Sequence, residues 1–232
     1  MIVFYSEEIS DNIGHLSGED AKHCYKVLRK KEGDFITVLN GKGSICKCLI
    51  SSISKSTVHF QVKEKEEFAH NQNLPTIGIS MLKNQSRLEW FLEKATEIGI
   101  ASFYPMKCDR TLKGKFRIER AESIVTSAVK QSLRPWKPKV NSDSTFDEIV
   151  ERTQIEQKFI CHFHPDNEHL YDIIDSNKPS IILIGPEGDF TDRELENAKS
   201  HGWIQVNISN SRLRTETAGI TACQIVALKA RS

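Results

Sequence analysis

The stretch Ile181–Leu195, IILIGPEGDFTDREL, decides how the fold is read. Ile181 to Ile184 form a short, β-branched apolar run, which predicts a strand covered on both faces, as in a parallel sheet. A helix follows at once. Thr191 and Glu194 have the spacing of a capping box, and Gly202 is a plausible stop. Ligands of open α/β sheets bind outside the carboxyl ends of the strands, so the turn Gly185-Pro186-Glu187-Gly188-Asp189-Phe190 lies where a site is expected. It is not a phosphate cradle. Neither G-x-x-x-x-G-K-[ST] nor G-x-G-x-x-G fits, and its two carboxylates repel phosphates. Glycine permits close backbone approach, and carboxylates hydrogen-bond hydroxyls or offset positive charge. A neutral or cationic ligand carrying a ribose and an adenine suits it better. A tight strand-to-helix connection with no ligand has the same local pattern.

Working outward, strands alternate with helices on either side of this turn. TIGISML is a strand, and SRLEWFLEKATEIG is a helix with Ser86 and Glu89 read as a capping box and Gly99 as its stop. Leu88, Phe91, Leu92, Ala95 and Ile98 fall on one face of that helix. SFYPM, KFICHFH and WIQVNI are further strands, FRIERAESIVTSAVKQSL is a helix ending before Pro135, and a last helix starts near Glu216. The first seventy residues differ, with the short strands IVFYS, DFITVLN, SICKCLISSIS and STVHFQVKEKE around one helix in EDAKHCYKVLRKK. That spacing suggests a small barrel or half-barrel. A boundary near residue 70 gives two domains, 1–70 and 71–232, the second an α/β domain with a mostly parallel sheet and helices on both faces.

Six cysteines at 24, 46, 48, 108, 161 and 223 form no CxxC pair, and MIVFYSEEIS lacks the plan of a secretory signal, which points to a reduced, cytoplasmic protein. No apolar stretch approaches the roughly 20 residues of a membrane span. The net charge of +1 conceals a gradient: residues 1–70 are neutral, 71–140 carry +7 and 141–232 carry −6. A local basic excess is the footprint of a surface that meets phosphates, although a solvated helix face gives the same count.

Four constellations carry chemistry or imitate it. In SNSRLRTETAGITA, residues 209–222, Arg212 and Arg214 precede Thr215-Glu216-Thr217, so donors and hydroxyls gather at a helix N-terminus beside another strand end. Ordinary capping by Thr215 with surface arginines explains the same residues. CHFHPDNEH, residues 161–169, offers ligand types for a metal, but alternation sends Cys161 away from His162 and His164 and no second half of a zinc site follows, so no metal is expected. No G-x-S-x-G elbow exists to support a hydrolase. From Lys107 to Lys139 ten Lys or Arg face three acids, with Phe116 and Trp136 interleaved, a composition suited to phosphates and unpaired bases. A second cluster is Lys22, Lys26, Arg29, Lys30 and Lys31.

HCYKVLRKKEGD, KATEIGI with Pro105 after it, AVKQSLRP, IGPEGDF and LRTETAG together resemble the ribosomal RNA small subunit methyltransferase E family, of the SPOUT superfamily of S-adenosylmethionine-dependent RNA methyltransferases. The resemblance covers nearly the whole chain. It implies a small PUA-like β-barrel RNA-binding domain followed by a SPOUT-type α/β domain whose end is threaded into a trefoil knot, and a homodimer. It implies that S-adenosyl-L-methionine is held by Ile184, Gly185, Pro186, Glu187 and Gly188 together with Ile208, Leu213, Thr217 and Ala218. The implied product is a uridine methylated at N3 in small-subunit (16S) ribosomal RNA, free or in the assembled subunit. That nitrogen must lose its proton before it attacks the methyl group, and a cation stabilising the anionic base would help, which makes Arg214 the first catalytic candidate and Glu216 its support. RNA contacts fall to Lys22, Lys26, Arg29, Lys30, Arg110, Lys113, Lys115, Arg117 and Arg134. The chain departs from the commoner family form at Asp189, where Gly is usual, and at Ile208-Ser209-Asn210-Ser211-Arg212-Leu213-Arg214, where L-G-x-R-I-L-R is usual. A non-catalytic RNA-binding or ribosome-assembly protein that kept the fold is the competing reading.

Overall fold

The computed structural model describes residues 2–111 and 116–230. The chain divides into two compact units, one made of residues 1–70 with 126–137 and the other of 71–125 with 138–232. Lys113 and Lys115 lie outside the described residues.

The first unit holds β1 (Val3–Tyr5), β2 (Ile9–Ser10), β3 (Ile13–Leu16), α1 (Gly18–Lys22), β4 (Phe35–Leu39), β5 (Ser44–Ile53) and β6 (Val58–Glu67) in one sheet of order β1-β4-β5-β6-β3-β2. Only β1 and β4 run parallel in this sheet. The single helix expected over residues 19–31 is instead α1 followed by a π-helical turn, His23–Val27. β2 and β3 had no strand signal, because each is short. The link between them uses Asp11 and Asn12 at φ 50° and 62°, the left-handed pair of a tight hairpin. Alternation along β5 and β6 buries Cys46, Cys48, Ile50, Val58 and Phe60 against Phe4 and Leu16. From residues 126–137, Lys130 pairs with Asp20 at 2.6 Å, and Trp136 Nε1 donates to the Phe68 carbonyl at 2.9 Å.

The second unit contains β7 (Thr76–Ser80), α2 (Gln85–Ile98), β8 (Ser102–Lys107), α3 (Ile118–Ser132, whose last residues belong to the first unit), β9 (Lys139–Val140), β10 (Ser144–Thr145), α4 (Phe146–Arg152), β11 (Gln157–Cys161), α5 (Leu170–Ile173), β12 (Ser180–Ile184), α6 (Asp192–Ser200), β13 (Ile204–Val206) and α7 (Thr215–Lys229). The sheet is parallel throughout, in the order β10-β8-β7-β12-β11-β13, with β9 also on β8. All five residues of β7 and all five of β12 are buried, as a strand covered on both faces requires. Ile181 and Leu183 face Phe146, Ile149 and Ala198 of α4 and α6. On the other face α7 packs on α2 and β7.

Two helix starts show how caps are chosen. Thr191 and Glu194 form the expected box, with Thr191 N on Glu194 Oε2 at 2.8 Å. Ser86 and Glu89 do not. Asn84 is the cap of α2, accepting from Ser86 N at 3.0 Å, while Glu89 is drawn into a two-pronged pair with Arg120 at 3.1 and 2.7 Å. A bidentate charged pair outweighs a second local bond at an end already capped.

The α2–α7 contact depends on one missing side chain. A Cβ at Gly219 would stand 2.6 Å from Phe91 Cε2 and 3.1 Å from Ile79 Cδ1, both fully buried residues. Gly to Ala in a helix gains about 1 kcal/mol of propensity, whereas overpacking a closed core costs about 1–3 kcal/mol. Packing wins, so Gly219→Ala is expected to lower the melting temperature by roughly 2–4 °C, followed by circular dichroism. A raised melting temperature would show that α2 can yield.

Candidate functional site

Three adjacent parallel strands, β11, β12 and β13, release their chains at the same edge of the sheet, and the three loops that follow are fastened to one another. After β12, Asp189 N donates to the Pro186 carbonyl at 2.9 Å and closes a tight turn with Asp189 at φ 61°. That left-handed backbone explains why glycine suits this position. Here an aspartate holds it with a local bond, its Oδ1 accepting from Phe190 N at 2.8 Å, and spends Oδ2 on His162 Nδ1 at 2.9 Å in the loop after β11. The loops after β11 and β13 are joined by Asn207, whose side chain accepts from His164 N at 3.1 Å and donates to the carbonyls of His164 and Asn167 at 2.7 and 2.9 Å. Thr215, buried at the first turn of α7, donates its hydroxyl to the Gly185 carbonyl at 3.0 Å.

Between these loops lies a pocket of about 390 Å³, within the range of small-molecule sites. Eight of the nine expected cofactor residues line it: Ile184, Gly185, Pro186, Glu187, Gly188, Ile208, Leu213 and Ala218. Thr217 does not; it is exposed on α7. The wall also includes Cys161, His162, Asp189, Ser209, Ser211, Arg212 and the ring of Phe163, which is 44% exposed. Sequence reading missed Phe163 and Asn207 as site-forming. The only available signal was a large apolar residue just past a strand end.

The turn suits a bulky, partly cationic ligand. A Cβ at Gly185 would lie 3.1 Å from the Phe190 ring, so a larger residue would press on the floor of the pocket. Apolar Pro186, Ile208 and Leu213 share the wall with the carboxylates Glu187 and Asp189, a mixture suited to a flat heterocycle and a positive centre. Burial pushes the Cys161 thiol up and Cys108 to about 12, so neither is a thiolate at neutral pH and covalent catalysis by either thiol is disfavoured. His162 and His164 lie beyond the end of β11, their rings stacked at 6.4 Å, and among the described residues no three metal-ligating side chains gather.

The catalytic candidates sit beside the pocket rather than on its wall. Arg214 is the N-cap residue of α7, exposed, with no side-chain bond to the helix end. Glu216 is buried, its Oε1 3.6 Å from Arg87 Nε of α2 and its Oε2 without a partner. Glu216 thus reaches Arg87 rather than Arg214. Among the expected RNA contacts, Lys22, Lys26, Arg29, Lys30 and Arg134 belong to the first unit and Arg110 and Arg117 to the second. Lys22 pairs with exposed Glu19 at 2.8 Å, Lys26 and Arg29 are exposed, and Lys30 donates to the Phe35 carbonyl at 3.1 Å. Burial holds the Arg134 guanidinium below its ordinary pKa. Arg117 is exposed, and Arg110 donates to the carbonyls of Gly188 and Phe190 at 2.6 and 3.3 Å.

Comparison with known proteins identifies the family. Residues 70–227 match the model of an RNA methyltransferase domain, and residues 16–63 match that of an RNA methyltransferase PUA domain. The chain is 30% identical to ribosomal RNA small subunit methyltransferase E of Synechocystis sp., over 98% of this chain and 77% of that one. It is 29% identical to the protein of that name from Bacillus subtilis, over 91% and 88%. A probable rRNA-methyltransferase from Porphyromonas gingivalis superposes with a TM-score of 0.92 at 30% identity, covering 100% of this chain and 99% of that one. A ribosomal RNA small subunit methyltransferase E from Neisseria gonorrhoeae, solved bound to S-adenosyl methionine, gives 0.85 at 25% identity, covering 97% and 95%. With a pocket at the strand ends, an RNA methyltransferase domain over most of its length and relatives of one kind along nearly all of it, the chain belongs to the ribosomal RNA small subunit methyltransferase E family.

Proposed function

We propose that this protein is a cytoplasmic S-adenosyl-L-methionine-dependent methyltransferase acting on N3 of a uridine in small-subunit ribosomal RNA, free or assembled. The observation that carries the reading is the 390 Å³ pocket between the turn 185–190 and the loop 207–213, which combines apolar walls with carboxylate acceptors. Ile184, Pro186, Ile208, Leu213 and Ala218 would enclose the adenine, and Glu187 and Asp189 would face the polar and cationic parts. When bound, the cofactor supplies an electrophilic methyl group on a sulfonium. A knotted path for the C-terminal segment belongs to the same reading.

The chain's own residues have the remaining work. N3 of uridine is protonated at neutral pH, so the anionic base must be stabilised where the methyl group is accepted. Arg214 stands at the N-terminus of a fifteen-residue helix, so its guanidinium and the positive end of α7 act in the same sense on an anion. Glu216, drawn toward Arg87, fixes the first turn of α7 and supports Arg214 through the backbone. Arg214→Ala is expected to slow turnover by roughly a hundredfold or more, the scale of one lost transition-state donor, with cofactor affinity nearly intact. Mass spectrometry of nucleosides from small subunits lacking the modification, incubated with protein and cofactor, is the assay. No methyluridine with wild type, or no heat of cofactor binding to the folded protein, refutes the function; an unimpaired Arg214→Ala refutes only the residue.

RNA binding should fall steeply with salt, because each neutralised phosphate releases counterions. Replacing Lys113, Lys115 and Arg117 together by Ala should flatten the slope of log K against log salt by roughly two units, at about 0.7 per phosphate on single-stranded RNA. An unchanged slope would assign these residues to solubility.

A homodimer is part of the proposal. α2 and α7, packed against each other, leave Trp90 46% and Leu228 49% exposed, apolar surface of the sort that a second copy covers. Light scattering at micromolar protein should give twice the chain mass, and a single-chain mass would refute it.

A further inference from the structure

The loop that leaves β8 is fastened to the cofactor turn. Asp109 N donates to Glu194 Oε1 at 2.9 Å. The Asp109 carboxylate receives Thr191 Oγ1 at 3.0 Å and Arg193 through Nε and Nη2, both at 2.9 Å, while Arg193 Nη1 reaches Asp147 at 3.1 Å. Arg193 holds the Asp109 carboxyl below the usual carboxylate range. The next residue, Arg110, then lays one nitrogen, Nη1, between two carbonyls of the turn, 2.6 Å from Gly188 O and 3.3 Å from Phe190 O.

Those two carbonyls belong to peptide groups whose N–H ends are also held. The peptide that starts at Gly188 ends in Asp189 N, which is bonded to the Pro186 carbonyl. The peptide that starts at Phe190 ends in Thr191 N, which is bonded to Glu194. Arg110 therefore completes the pinning of two peptide planes in a turn that contains an exposed glycine and a left-handed aspartate. Fixing one backbone residue costs about 1–2 kcal/mol of conformational entropy, and a turn ordered in advance spares the ligand that cost.

We propose that Arg110 is a positioning residue for the cofactor turn, setting the orientation of the 188–189 and 190–191 peptides before the cofactor arrives, rather than a contact to RNA. The proposal rests on the cofactor reading of this pocket.

The test uses the full chain and Arg110→Ala, in three measurements. In cofactor-free protein, hydrogen exchange at the Asp189 and Thr191 amides should quicken about tenfold while Ile182 to Ile184 stay protected, the scale of one lost charge-assisted bond. The dissociation constant for S-adenosylmethionine, by calorimetry, should rise by a similar factor, and kcat at saturating cofactor should stay within about threefold of wild type. Arg110→Lys, which keeps a cationic donor, should fall between the two. The salt slope of RNA binding should not change. Exchange at the turn as slow as in wild type overturns the proposal, as does a salt slope reduced by about one with cofactor affinity intact, the mark of a phosphate contact. Failure of wild type to bind the cofactor would refute the function while leaving the exchange result standing.

Discussion

Glu194 has no exposed surface, and a carboxylate so placed must be supplied with donors or be very costly to bury. Two backbone N–H groups supply them, that of Thr191 and that of Asp109, and the Thr191 hydroxyl, whose one proton is shared with the Asp109 carboxylate, lies beside them. The Thr191 bond makes the start of α6, and the Asp109 bond draws in the loop that leaves β8, two strands away in the sheet. Satisfying this one side chain therefore fixes where the chain leaves β12 and where it leaves β8, and the pocket lies between those constraints. The capping box is usually counted as a local device worth about 1 kcal/mol. Here it is also a long-range tie.

Such ties separate what was legible in the sequence from what was not. The strand and turn at 181–190 and the helix after them could be read because their signals are local: a β-branched run, two glycines, then a box four residues long. The pocket wall followed from two such loops, and eight of the nine residues expected to hold a cofactor line one pocket. The third loop was invisible, since Asn207 acts on residues some forty positions away and nothing near it announces the bond. At α2 the same box signature misled, because Asn84 competed for the N–H groups and Arg120 for the carboxylate. α4 was overlooked although Thr145 and Glu148 carry a genuine box. Its two short neighbours, β9 and β10, have too few residues to show any period.

Thr217 and Glu216 illustrate a second limit. α7 is apolar nearly all round, so no amphipathic pattern says which side faces the pocket. The packing of Gly219 on Phe91 settles the rotation. That rotation carries Glu216 toward Arg87 and leaves Arg214 exposed at the helix start.

The strand order also bears on how the protein is made. β12 lies between β7 and β11, yet it follows β7 by roughly a hundred residues in the chain. At translation rates of roughly 5–20 residues per second, β7 waits roughly 5–20 s for the neighbour that closes its edge. During that interval a strand that is buried along its whole length in the finished protein has hydrogen-bonding groups open on one side, the form most prone to pairing with another chain. The last wall of the pocket arrives later still, with Leu213 and Ala218, so the pocket is incomplete until nearly all of the chain has emerged. The protein's vulnerable period is thus its own synthesis.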